Sequence, residues 1–130
     1  MLRSIGRFLG VSIMAVWLPV LVAGLASLRS RGRLGRSEAL IVTGAYRYVR
    51  HPLYAGLSMT LTGIGLLLGT CVLALGGLGW LLVTQLWSIH EERELAQRFG
   101  RDYVSYRRAT PRVVPDVVRL LRDLQKDVRT

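Results

Sequence analysis

Residues 53–89 read LYAGLSMTLTGIGLLLGTCVLALGGLGWLLVTQLWSI, 37 positions without one charged side chain. An α-helix rises about 1.5 Å per residue, so roughly 20 residues cross a hydrocarbon core about 30 Å thick. The run is long enough for two crossings joined by a tight turn. Gly69-Thr70 divides it into two nearly equal halves. A break at Gly76-Gly77 would leave the second half too short to span. The expectation is a helical hairpin over about 53–69 and 72–89. Gly56, Gly63 and Gly65 on one arm, and Gly76, Gly77 and Gly79 on the other, would let the two arms approach closely.

Outward from the hairpin, Phe8 to Leu28 forms another uncharged run of 21 residues, with Pro19 inside it. It exceeds the ~7–15 apolar residues of a signal peptide and is followed by Arg29, Arg31, Arg33 and Arg36, so it reads as a retained anchor. The fold class expected is therefore an all-α integral membrane protein. It has about three transmembrane helices in a single domain over 1–130, with a helical C-terminal tail over 90–130. The net charge is +10 although 51% of the residues are apolar; charge and hydrophobicity are segregated along the chain. The first connection carries six arginines (Arg29, Arg31, Arg33, Arg36, Arg47, Arg50) and the segment before the first span carries two. The positive-inside rule then places that connection and the tail in the cytoplasm. Arginines massed beside a span act as a topology signal rather than as the basic surface of a nucleic-acid binder, so no nucleic-acid partner is expected. The single Cys71 cannot form an internal disulfide and is expected to be a small buried apolar residue. His51 and His90 lack partners at ligand spacing, so no metal is expected.

Trp87, Glu91, Leu95, Phe99 and Tyr103 recur every four residues, which predicts one face of a helix continuing past the third span, with Gly100 as a possible interruption. Glu91 and Glu92 point about 100° apart on such a helix. Glu91 shares the stripe, so it is expected to face inward, with Arg47, Arg50 or a ligand ammonium as its counter-charge, and Glu92 to be more exposed. Further on, Pro115 followed by Asp116 signals the start of a last amphipathic helix. Val117, Leu121, Leu124 and Val128 form its apolar row. It would lie on the membrane surface or cover the cytoplasmic mouth of the hairpin.

The approach to the hairpin, TGAYRYVRHPLYAG over 43–56, concentrates the chemistry. Proline is accommodated in the first turn of a helix, where its missing N–H would have no partner, so His51-Pro52 marks the start of the second span. The amides from Leu53 and Tyr54 onward would then form an anion-attracting helix end. Tyr46 and Tyr54 add flat aromatic faces with hydroxyl handles. With Glu91 added, the set suits a zwitterionic or cationic ligand. The plainer reading of the same residues is a row of interface anchors beside a span, with a solvated helix start after it.

TGAYRYVRHPLYAG, taken with EERELAQRFGRDYVSYRRATPRVVP over 91–115, resembles the isoprenylcysteine carboxyl methyltransferase family and its bacterial relatives, and more distantly the phospholipid N-methyltransferases. The pattern covers Glu38 to Pro115. The resemblance implies an integral-membrane enzyme, in a bacterial inner membrane, that binds S-adenosylmethionine on the cytosolic side. It would methylate a lipophilic acceptor, either an isoprenylcysteine-like carboxylate or another lipid. The positions that match the cofactor-binding residues are Leu40, Ile41, Tyr46, His51, Pro52, Leu53, Tyr54 and Glu91. Phe99-Gly100, Tyr103, Tyr106 and Pro111 match the part of the signature that shapes the tail. Methyl transfer is a direct displacement at the methyl carbon, and a carboxylate acceptor needs no general base, so no catalytic base is assigned. The chain departs from the pattern at Trp87, where relatives active on prenylcysteine carry an arginine, and it has fewer spans than many relatives. Two alternatives share some features: an NADPH-dependent reductase of the sterol-reductase type, which also carries Arg-His-Pro-x-Tyr, and a non-catalytic membrane subunit.

Overall fold

The computed structural model describes residues 1–29, 40 and 42–129. Among these residues the chain forms five α-helices and no strand, in keeping with the all-helical expectation. They are α1 Leu2–Arg29, α2 Pro52–Leu68, α3 Cys71–Phe99, α4 Arg101–Ala109 and α5 Val117–Val128, with a short 3-10 turn at Gly44–Arg47 before α2. By length and composition α1 and α3 can each cross a bilayer, while α2, at 17 residues, is a shorter apolar helix.

Local chemistry sets most of the boundaries. Pro52 occupies the first turn of α2 behind His51, as the sequence indicates. Gly69 adopts φ 71°, a left-handed conformation open to glycine at little cost, and its N–H bonds back to the carbonyls of Gly65 and Leu66. The hairpin therefore turns at the predicted place. Gly100, at φ 56°, ends α3 and lets α4 set off in a new direction. α1 runs through Pro19 without interruption and extends beyond 8–28 at both ends. α5 begins two residues after Pro115. Its cap is Asp116, whose Oδ1 accepts the Arg119 N–H at 3.0 Å.

α2 packs against α1 on one side and α3 on the other, and both seams are built on glycine. Along the first seam Gly10 meets the backbone of Gly63 and Leu67, Gly24 meets Pro52 and Leu53, and Gly56 meets Leu21. Along the second, Gly65 lies against the backbone of Ala74, and Gly77 against Thr62 and the Ser58 carbonyl. This corrects the expectation that all six hairpin glycines would join its two arms. Gly56 and Gly63 serve α1, Gly76 and Gly79 face open space, and only Gly65 and Gly77 bring α2 and α3 together.

Along the hairpin itself the buried side chains are small and often polar: Ser58, Thr62, Ala74, Thr84 and Ser88 are all buried. Leu75, Leu82, Leu86 and Trp87, by contrast, are exposed. In water this arrangement would be inside out. In a bilayer the lipid tails are as apolar as leucine, so helices meet through the residues that permit the closest backbone approach. Cys71, expected to be buried, is exposed at the start of α3.

Candidate functional site

The tail returns to the point where α2 begins. The Arg50 N–H donates to the Pro111 carbonyl at 2.9 Å, the His51 N–H to that of Arg112 at 3.3 Å, and the Asp116 N–H to that of Tyr48 at 2.9 Å. Residues 111–116 thus form a strap along the segment that leads into α2. The Tyr106 hydroxyl adds a bond to the Tyr46 carbonyl at 2.6 Å. Val49 and Tyr103 are each 1% exposed.

Glu92 is the electrostatic centre of this junction. Its Oε1 receives Arg50 Nη1 at 2.8 Å and Arg112 Nε at 3.2 Å, and lies 3.0 Å from His51 Nε2. Its Oε2 receives Arg112 Nη2 at 2.9 Å. Burial raises the carboxyl's pKa, but the hydrogen bonds from Arg112 and His51 and the charges of Arg50 and Arg112 outweigh it. The group is held below the usual carboxylate range and stays ionised. One carboxylate therefore ties α3, the start of α2 and the returning tail into a single clasp.

That finding overturns the expected roles of the two adjacent acids. Glu92, not Glu91, is the buried one, at 3% exposure. Arg50, anticipated as a counter-ion for Glu91, pairs with Glu92 instead. The stripe is not packed along its whole length: Trp87 is 64% exposed, Glu91, Leu95 and Phe99 are half-buried, and Tyr103, on α4, is buried. The face of α3 that packs on α2 carries Ala74, Gly77, Thr84, Ser88 and Glu92. A four-residue repeat of large side chains marks the core face of a helix in water, whereas next to lipid it can mark the outer face.

Glu91 sits one step around the helix, half-buried. Its Oε2 accepts the Tyr54 hydroxyl at 3.2 Å. The Tyr54 ring stacks on His51, with centroids 5.7 Å apart and planes 17° apart. Tyr46 stands nearby: burial, with the charge of Glu91 and the Tyr54 phenol adding to it, pushes its own phenol up to about 12. The structure therefore gathers Tyr46, His51, Tyr54 and Glu91 around the start of α2, where no side chain caps the helix. Pro52 is buried and Leu53 half-buried, both against Gly24 of α1. Leu40 is half-buried, and Ile41 lies outside the described residues. Within the described residues no three His, Cys, Asp or Glu side chains group to hold a metal ion.

Arg112 and Glu92 are the participants that sequence reasoning missed. The expected cationic partner of an inward carboxylate is found at Glu92, whereas Glu91 has the Tyr54 hydroxyl. The participation of Arg112 carries no sequence signal, because it depends on how the tail folds back.

The sequence matches the model of the phospholipid methyltransferase family over residues 5–102. The chain belongs to this family. The phospholipid methyltransferase match takes in α1, α2 and α3 and ends at the start of α4, so Arg112 and α5 lie beyond it. A protein-S-isoprenylcysteine O-methyltransferase of Schizosaccharomyces pombe is 34% identical over 97 residues, which cover 70% of this chain and 37% of that protein. The chain thus spans little more than a third of the curated relative it matches. The resemblance seen in the two motif blocks is borne out on both counts. No solved structure matches the chain.

Proposed function

We propose that this chain is an integral-membrane methyltransferase that takes its methyl group from S-adenosylmethionine and gives it to a lipophilic acceptor, an isoprenylcysteine-like carboxylate or another lipid. Family membership supports the reaction class. The observation that carries the site is the contrast between the neighbouring acids. Glu92 is neutralised by two arginines, with His51 in hydrogen-bond contact. Glu91 has the neutral Tyr54 hydroxyl on it and remains half-buried beside an uncapped helix start.

Those residues fit the donor. Glu91 would take its ammonium, and the first amides of α2, at Leu53 and Tyr54, its carboxylate. Tyr46 and Tyr54 offer the aromatic faces that favour an onium cation. Leu40, Ile41, His51 and Pro52 complete the binding set, with the His51 ring stacked on that of Tyr54. S-adenosylmethionine supplies a methyl group activated on a sulfonium sulfur. The protein's part is to position and desolvate: the Glu92 clasp holds the tail against α2 and screens the mouth from water. A carboxylate acceptor arrives already nucleophilic, so no side chain is assigned as a base. In this reading α2 is a third crossing, the whole chain works as one domain, and the mouth with the tail faces the cytoplasm, where the arginine-rich connection lies.

Equilibrium dialysis of the purified protein in lipid nanodiscs tests the proposal. The protein should bind S-adenosylmethionine, and Glu91→Gln should weaken binding by roughly tenfold or more, the loss expected for one charge-assisted hydrogen bond. Unchanged affinity in Glu91→Gln, or binding of NADPH in place of S-adenosylmethionine, would refute it. Transfer of labelled methyl into membrane lipid extracts then identifies the acceptor.

A further inference from the structure

The apolar row of α5 points away from the protein. Val117, Leu121, Leu124 and Val128 are 53%, 55%, 52% and 87% exposed. The opposite row does the docking. Asp123 Oδ2 accepts the Tyr48 hydroxyl at 3.1 Å and pairs with Arg47 at 3.2 Å. Arg119 reaches the Arg47 carbonyl at 3.3 Å, and the backbone of Asp116 bonds to that of Tyr48. An amphipathic helix packed on a water-soluble core turns its apolar row inward. This helix is held by its polar row, so the apolar row needs a cover from outside.

Three features choose the cover. The anchoring residues Arg47 and Tyr48 come just before Pro52, where the uncharged hairpin begins, so α5 is tethered at the level where the chain enters the bilayer. Arg122 and Arg129 are exposed on one flank of the apolar row, Asp123 is paired with Arg47, and Asp127 is the exposed acid of the helix. The helix is also small: 12 residues make a rod about 18 Å long. One row of four side chains on it falls well below the ~800 Å² that each partner contributes to a stable protein interface.

We infer that α5 is an interfacial anchor whose apolar row enters the headgroup region of an anionic phospholipid leaflet, with its basic flank on the lipid phosphates. The inference stands apart from the methyl-transfer reading and does not require it.

Hydrogen–deuterium exchange at residues 117–128 tests it, on the full chain at one copy per nanodisc. The discs contain phosphatidylcholine alone or an equal mixture with phosphatidylglycerol. Exchange should slow by roughly tenfold in the anionic discs, as a few lysine or arginine contacts with the surface would produce, and high salt should erase most of that gain. Arg122→Gln/Arg129→Gln leaves the Asp116 cap and the apolar row intact and should lose the phosphatidylglycerol effect. Leu121→Glu/Leu124→Glu should exchange fast in both lipids. Equal exchange in the two lipids would overturn the inference. Protection that appears only when two copies share a disc would overturn it in favour of self-association, and undiminished protection in Leu121→Glu/Leu124→Glu would show that the row is covered by something else.

Discussion

Replacing Glu92 by glutamine keeps the shape of the side chain and removes its charge. Both carboxylate oxygens receive arginine N–H groups, so whichever way the amide turns, its NH2 faces a donor. Breaking a buried ion pair by removing one partner costs about 3–5 kcal/mol. The two arginines share that cost unequally. Arg112 is 35% exposed, so water replaces part of its bonding, whereas Arg50 at 11% has little such relief. The lower end, about 3 kcal/mol, is the expected loss, roughly a hundredfold in the folding equilibrium. Unfolding by SDS in mixed micelles, followed by circular dichroism, measures it for Glu92→Gln, Arg112→Gln and the double variant. The two changes should be non-additive by about 1 kcal/mol or more, because both remove the same contacts. Glu91→Gln, at a half-buried position whose Tyr54 hydrogen bond the amide oxygen can still accept, should stay within about 0.5 kcal/mol of the parent. If Glu92→Gln is as stable as the parent while Glu91→Gln is not, the clasp has been assigned to the wrong acid.

The same clasp has an acid limb. Its carboxyl is held below the ordinary value of about 4.3, so its stabilising effect is fully present above that pH and is lost as pH falls through the depressed folded-state pKa. Melting curves of the parent and Glu92→Gln should therefore differ most above about pH 5 and converge in stronger acid; a constant gap would contradict the ionised assignment. Gly65→Ala places a methyl on the backbone of Ala74, which cannot yield as a flexible side chain would, and should cost about 1–3 kcal/mol in the SDS titration. Gly76→Ala meets open space and should be neutral or stabilising by up to about 1 kcal/mol. Tyr106→Phe removes the hydroxyl bonded to the Tyr46 carbonyl and should cost about 1 kcal/mol, visible as faster hydrogen exchange over 101–116.

How much of this was legible beforehand differs between fold and site. The hairpin turn at Gly69, the helix start at Pro52, the break at Gly100 and the amphipathic last helix all rest on local chemistry, through an available φ, a missing N–H or a repeat along a few turns. The gathering of Tyr46, His51, Tyr54 and Glu91 followed from placing two motif blocks at the same end of a hairpin, which its topology requires.

The roles of the paired acids were not legible in this way. Two adjacent residues on a helix differ by about 100° in direction, and only the neighbouring elements decide which direction is inside. Periodicity points to the packed face of a helix in water because burying apolar surface drives packing there. Lipid removes that drive, so the large residues of α3 turned outward and the small polar row that ends in Glu92 turned toward α2. The sequence by itself thus determined the helices, their order and the ends marked by Pro52, Gly69 and Gly100, because each depends on bonds and torsions within a few residues. Only the tertiary structure decided which glycines touch, which glutamate is buried and that Arg112 comes back to meet it. Those outcomes depend on contacts between segments far apart along the chain, whose partners no local pattern names.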